Sequence, residues 1–235
     1  MSTRSSAATH RGTVRKGNED AMLAHDALGL WVVADGAGGH GAGEVASRAV
    51  VDSLADLPPH LSAAEVLAQF RLRLSAVHAS LQARSEAEGR ARPMATTVVA
   101  LLLRGEHYAA LWAGDSRAYL LRGGTLLRVT RDHSLVQEMV DAGTVAEAEA
   151  EKHAQANVIT RAVGADGPLE LEKSMGRVQP GDLFLLCSDG LFKAMEEREI
   201  AARLLHGHSA EQLVDAAVAM GARDNVTAIL IRAPD

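Results

Sequence analysis

Aspartates carry most of the candidate chemistry in this chain. Asp35 closes the apolar run LWVVA at residues 30–34, and Asp189 closes LFLLCS at residues 183–188; a glycine follows each. Asp115 follows AALWAG, Asp224 precedes the apolar run at 226–231, and Glu19 and Asp20 precede the one at 21–24. Short apolar runs of this kind read as strands, and strand ends bring sequence-distant side chains together at one rim of a sheet. Carboxylates gathered there repel one another and raise their own pKa values unless cations neutralise them. Hard oxygen donors of this type favour magnesium or manganese. Taken singly, each aspartate is as well explained as a cap or turn residue. The repeated strand-Asp-Gly arrangement moves the balance towards metal without settling it.

Other residues compete for attention. Gly36-Ala37-Gly38-Gly39-His40-Gly41 satisfies the glycine spacing of a dinucleotide fingerprint, with Asp56 about 20 residues on. That reading needs a second parallel strand ending in the acidic residue. Here Asp56 stands beside Pro58 at a helix exit and another helix follows, so the glycines are better explained by backbone pressed close to a charged site. His40 is a candidate proton donor, though a loop histidine is more often a hydrogen-bonding surface residue. Cys187 lies inside a strand pattern without a phosphate-binding loop around it, which reads as a buried thiol. Ser116, in Gly-Asp-Ser-Arg, lacks a nucleophile elbow and reads as a turn residue.

The elements that must position these residues follow from periodicity. A strand at 30–34 enters the glycine-rich turn, and Val45, Ala49, Val50 and Leu54 then recur at helical spacing until Pro58 and Pro59. Ser62 with Glu65 makes a capping box for a second helix reaching about Ala87. From residue 96 to 129 the pattern changes to TTVVALLL, HYAALWA, RAYLLR and TLLRVT, separated by turns at 104–106, 114–116 and 123–124. Turns that short predict antiparallel hairpins. Residues 134–142 read as helix and 143–157 as a mobile surface segment. Strands at 169–178 and 182–187, helices near 196–205 and from Ser209, and a closing strand at 226–231 complete the chain. Strands pairing antiparallel beside long helices predict an α+β sandwich with helices covering sheets.

Composition bounds the function. With 235 residues, 47% hydrophobic and 23% charged, the chain is long enough for a sizeable core, which Ala, Val and Leu must fill because aromatics are only 3%. The net charge of −6 gives general nucleic-acid binding little support. No apolar run nears the roughly 18 residues of a membrane span. One cysteine cannot form an internal disulfide, which suits a cytoplasmic location. Residues 1–10, polar and Ser/Thr-rich, read as a flexible tail ahead of one domain over 11–235.

With these residues in view, the chain closely resembles the PPM family of metal-dependent protein phosphatases, the type 2C class, in its short bacterial form. The resemblance runs from about Arg11 to Ile231. In the family's order it includes Arg15-Lys16-Gly17-Asn18-Glu19-Asp20, Val33-Ala34-Asp35-Gly36 with Gly38-Gly39-His40, and Ala95-Thr96-Thr97-Val98. Gly114-Asp115-Ser116-Arg117, Asp132-His133-Ser134, Thr160-Arg161 with Gly164, Ser188-Asp189-Gly190 and Arg223-Asp224-Asn225 with Thr227 follow. It implies an α-β-β-α sandwich whose two central antiparallel sheets carry a dinuclear Mn2+ or Mg2+ site at one end. Asp35 would bridge both cations, Asp189 and Asp224 would hold the first, and the Gly36 carbonyl would help hold the second. Glu19 and Asp20 would orient water, with Glu19 a candidate direct ligand. Asp115 with Asp189 would form a third, weaker metal site, and Arg15 would bind the substrate phosphate. Residues 132–164 correspond to the flap beside the site, in which Glu147, Glu149 and Glu151 read as a solvated face.

The implied reaction is hydrolysis of phosphoserine and phosphothreonine in proteins by water bridging two divalent cations. The implied partners are phosphorylated proteins, namely a cognate bacterial Ser/Thr kinase or its substrates, met by a monomer without nucleic acid or membrane. Two alternatives stay open: a catalytically weak module that binds phosphoproteins, and a phosphatase of small phosphate esters. Ala37 and Ala95 depart from the family's usual residues, and neither departure removes a ligand.

Overall fold

The computed structural model describes residues 3–38 and 41–234; Gly39 and His40, and with them the proton-donor candidate, lie outside the described residues. The first part of the chain forms β1 (Arg4–His10), β2 (Asp20–His25), β3 (Leu30–Ala37), α1 (Ala42–Ala55) and α2 (Ala63–Ala87). Five strands follow: β4 (Ala95–Thr96), β5 (Val98–Arg104), β6 (His107–Ala113), β7 (Arg117–Arg122) and β8 (Thr125–Arg128). Next come α3 (Leu135–Asp141), α4 (Glu147–Ala150), β9 (Glu172–Arg177), β10 (Leu183–Cys187) and α5 (Asp189–Ala194). The chain continues through α6 (Glu197–Leu205), α7 (Ala210–Ala219) and β11 (Val226–Arg232).

Two antiparallel sheets result, as expected. One runs β1-β11-β10-β7-β8; the other runs β2-β3-β5-β6-β9, with β4 added against the end of β3. Three apolar layers hold them. Strand alternation sends Leu30, Val32 and Ala34 of β3 towards α1 and α2, where they meet Val50, Leu54, Phe70 and Leu74. The intervening Trp31 and Val33 face the other sheet and join Val99, Leu101, Phe184, Leu186, Ile229 and Ile231 between the sheets. The outer face of the first sheet packs Leu185, Cys187, Ala228 and Leu230 against Leu191, Ile200, Leu213 and Val214 of α5, α6 and α7. Strands covered on both faces need no polar side, which is why they read as continuous apolar runs. The helix starts at Ser62 and Ser209 carry complete capping boxes, with Glu65 and Gln212 as the reciprocal partners.

Three expectations are corrected. Residues 4–10 are not a loose tail: β1 pairs along its whole length with β11, from Arg4 opposite Arg232 to His10 opposite Val226. Its polar composition suits a sheet edge, and the pull comes from the otherwise open edge of β11 rather than from local propensity. The turn at 114–116 does not close a hairpin. It carries the chain from β6 in one sheet to β7 in the other, so Asp115 lies at the junction between them. Asp189 does not merely end a strand; it is the first residue of the short helix α5.

Deleting residues 1–10 should therefore lower the unfolding free energy by about 3 kcal/mol, since several ladder bonds are lost at roughly 1 kcal/mol each and ordering entropy is regained. Urea denaturation checks this; an unchanged midpoint and slope would contradict a structural role for β1.

Candidate active site

The carboxylates meet where β2, β3, the β6–β7 crossing, α5 and the approach to β11 converge. Asp20 and Asp35 are direct cross-strand partners at the ends of β2 and β3. The Asp35 backbone is fastened on its other side: its N–H donates to Thr97 Oγ1 at 3.1 Å, and its carbonyl accepts from Thr97 N at 2.8 Å and Thr96 Oγ1 at 2.9 Å. Behind it, Gly36 lies against Gly43 at the start of α1. A Cβ on Gly36 would fall 2.2 Å from the Gly43 carbonyl oxygen and 2.6 Å from that of Glu19, so no larger residue fits. This close approach, rather than a nucleotide-binding loop, accounts for a glycine directly after Asp35.

The other sheet supplies the remaining groups. Asp20 Oδ2 accepts from Ser188 Oγ at 2.8 Å and Thr227 Oγ1 at 2.7 Å, which ties β2 to the ends of β10 and β11. Asn225 receives the Glu19 N–H on Oδ1 at 2.8 Å, and its Nδ2 donates to the carbonyls of Arg11 and Gly17 at 3.0 Å each. One amide thus holds the loop bearing Arg15, Glu19 and Asp20 against the segment bearing Asp224. Arg15 Nη2 donates to Asp224 Oδ2 at 2.7 Å, with more than half of the arginine side chain open to solvent. Asp189 Oδ2 is in contact with Lys193 Nζ, one turn further along α5.

The electrostatics follow from this crowding. Burial, opposed by the Thr227 and Ser188 hydrogen bonds and reinforced by Asp189 and Asp224, raises Asp20 to about 7. Burial and the nearby Asp189 raise Asp115 to about 7, with Lys193 working in the opposite direction. Asp35 stands well above the usual carboxylate range, first through desolvation and then through Asp20, Asp189, Asp115 and Asp224. These mutual effects show that the structure brings all five aspartates into one field. Glu19 adds its own charge beside Arg15.

Whether a divalent cation fits can be judged from the oxygens. Buried atoms Asp20 Oδ1, Asp115 Oδ1 and Asp189 Oδ1 have no hydrogen-bond partner among the described residues. Unpartnered carboxylate oxygens in a group of mutually repelling acids are the donor set that a hard cation satisfies. Among the described residues no three acidic, histidine or cysteine side chains are yet drawn together tightly enough to enclose an ion. Arg15 and Lys193 supply positive charge at Asp224 and Asp189 instead. The donor chemistry fits, with Arg15 having to release Asp224 for that residue to ligate.

The competing candidates separate clearly. Cys187 is fully buried and its thiol is raised by burial, which makes it inert. Ser116 Oγ pairs with Thr97 Oγ1 at 2.7 Å inside the protein. Two of the three flap glutamates are engaged rather than simply solvated: Glu147 pairs with Arg128 at 3.0 Å and Glu151 with Arg117 at 2.6 Å. Arg117 is itself buried, forked onto Asp132 and stacked 3.6 Å over Phe192. Arg117, Asn225 and Lys193 had no assigned role in the sequence reading. Lys193 could have been suspected from its place four residues after Asp189, whereas the flap partner of Arg117 is sequence-distant.

A family model described as protein phosphatase 2C matches residues 8–229. The chain belongs to the protein phosphatase 2C family. It is 37% identical over 230 residues to the serine/threonine protein phosphatase PstP of Mycobacterium tuberculosis, covering 97% of this chain but only 44% of PstP. It is 33% identical over 234 residues to the serine/threonine phosphatase stp of Listeria monocytogenes, covering 95% of this chain and 93% of the other. Among solved structures, PppA, a key regulatory component of T6SS in Pseudomonas aeruginosa, superposes with a TM-score of 0.91 at 42% identity, covering 100% of this chain and 99% of PppA. The PstP catalytic domain in complex with two manganese ions superposes with a TM-score of 0.88 at 35% identity, covering 100% and 99%.

The raised carboxylates carry a pH signature. An acid with a raised folded-state pKa favours folding while protonated and opposes it once ionised, so the metal-free protein should lose stability as pH climbs from about 4 through 7. Asp35→Asn should exceed the metal-free wild type in melting temperature at pH 8, with the gap shrinking towards pH 5. Equal melting temperatures across that range would contradict the crowding.

Proposed function

We propose that this chain is a metal-dependent phosphatase of phosphoserine and phosphothreonine in proteins, acting with two Mn2+ or Mg2+ ions held by Asp35, Asp189, Asp224 and the Gly36 carbonyl. The observation that carries the reading is the single field shared by Asp20, Asp35, Asp115, Asp189 and Asp224, contributed by both sheets, with buried oxygens of Asp20, Asp115 and Asp189 unpartnered among the described residues. The names of the curated relatives and the two manganese ions of the PstP domain support it.

When bound, the two cations would supply Lewis acidity, acidifying the water between them and offsetting charge on the phosphoryl oxygens. The chain's own groups do the rest. Asp35, its backbone gripped on both sides by Glu19–Gly36 and Thr96–Thr97 contacts, holds its carboxylate at the meeting point of the two sheets. Asp20 has Oδ2 fixed by two hydroxyls, leaving Oδ1 to accept a hydrogen bond from the attacking water and orient it. Glu19 is positioned beside it by Asn225. Among the described residues Arg15 is tethered only at its tip, so its guanidinium can exchange Asp224 for the phosphoryl oxygens of the substrate, a planar fork meeting a tetrahedral anion. That exchange also frees Asp224 to ligate. No protein nucleophile is needed, in keeping with the buried states of Cys187 and Ser116. The partners in this reading are phosphorylated proteins, including a cognate bacterial Ser/Thr kinase or its targets.

Purified protein should hydrolyse a phosphothreonine peptide with manganese and stop on addition of excess chelator. Asp35→Ala should fold and lose about a thousand-fold in turnover, since three decades correspond to about 4 kcal/mol of transition-state stabilisation. Turnover that survives chelation, or a folded Asp35→Ala variant of near wild-type rate, would contradict the proposal.

A further inference from the structure

Lys193 sits on α5 one turn after Asp189, the i to i+4 spacing at which an acid N-terminal to a lysine pairs best. Its ammonium contacts Asp189 Oδ2 and donates to Asn157 Oδ1 at 2.5 Å, and only 27% of the side chain is exposed. Asp115 lines the same cavity as Lys193, and its buried Oδ1 has no hydrogen-bond partner among the described residues. Asp189 is thereby divided: Oδ2 is taken by Lys193, and the buried Oδ1 has no partner among the described residues. The ammonium therefore stands at the pair of carboxylates, Asp115 and Asp189, that the family resemblance assigns to a third and weaker metal ion.

Resting on the two-cation phosphatase reading, we propose that Lys193 is the resident cation of the Asp115–Asp189 pair, so that this chain takes two divalent ions rather than three. The physical case is competition. A tethered ammonium is present at high effective concentration, while an ion arriving from solution must lose water and displace it. An ion that failed to displace it would sit beside a like charge in a partly buried place, where repulsion is weakly screened. Asn157 adds a neutral acceptor from the flap segment, so the same ammonium also fastens that segment to the metal-binding end.

The test is Mn2+ binding to the metal-free full chain, counted by isothermal titration together with the electron paramagnetic resonance signal of free Mn2+. Wild type should bind two ions per chain, and Asp115→Asn should leave that number unchanged. Lys193→Met should gain a third, weaker ion, with affinity at that site at least tenfold above wild type, and the double variant Lys193→Met/Asp115→Asn should lose it. A third ion on wild type that Asp115→Asn removes would overturn the proposal without needing any Lys193 variant. So would a Lys193→Met protein that keeps its circular dichroism and still stops at two. No binding to any form would overturn the two-cation reading, and this inference with it.

Discussion

Repulsion among carboxylates is the constraint on which the rest of this structure depends. Asp20, Asp35, Asp115, Asp189 and Asp224 lie within one another's field, and desolvation adds to the penalty on Asp20, Asp35 and Asp115. Such a cluster opposes folding by itself. The chain tolerates it because the acids are confined to one end of a sandwich held by three buried apolar layers. Arg15 and Lys193 supply part of the compensating charge, and the proposed function assigns the rest to divalent ions.

Position is enforced by backbone and by neutral polar groups rather than by the acids. Asp35 is clamped between β2 and the Thr96–Thr97 segment, and the Gly36–Gly43 contact lets α1 press against the end of β3. Ser188 and Thr227 hold one oxygen of Asp20, while Asn225 gathers three backbone groups from the N-terminal loop. These neutral donors and acceptors cross between the sheets. They fix the carboxylates in place without neutralising them, which under the proposed function leaves their charge for a cation.

Much of this was legible in the residues. Continuous apolar runs marked the central strands because both faces are buried, and Ser62-x-x-Glu65 and Ser209-x-x-Gln212 marked two helix starts through their capping geometry. Aspartates at strand ends pointed to a shared rim because strand alternation and pairing leave few other places for them. What escaped depends on partners distant in sequence. Arg4–His10 is a strand only because β11 offers it an edge. The turn at 114–116 looks like a hairpin turn and instead crosses sheets, because β6 and β7 each find a better partner in β9 and β10. The Arg117–Glu151 pair joins β7 to a residue 34 positions later and carries no local signal.

The most direct test of the central claim is anomalous diffraction at the manganese edge from crystals soaked in Mn2+. The account predicts two strong peaks at the shared end of the sheets, one against Asp189 and Asp224, the other against the Gly36 carbonyl, with Asp35 between them. Peaks elsewhere only, or none from crystals of protein that turns over phosphothreonine peptide, would contradict it.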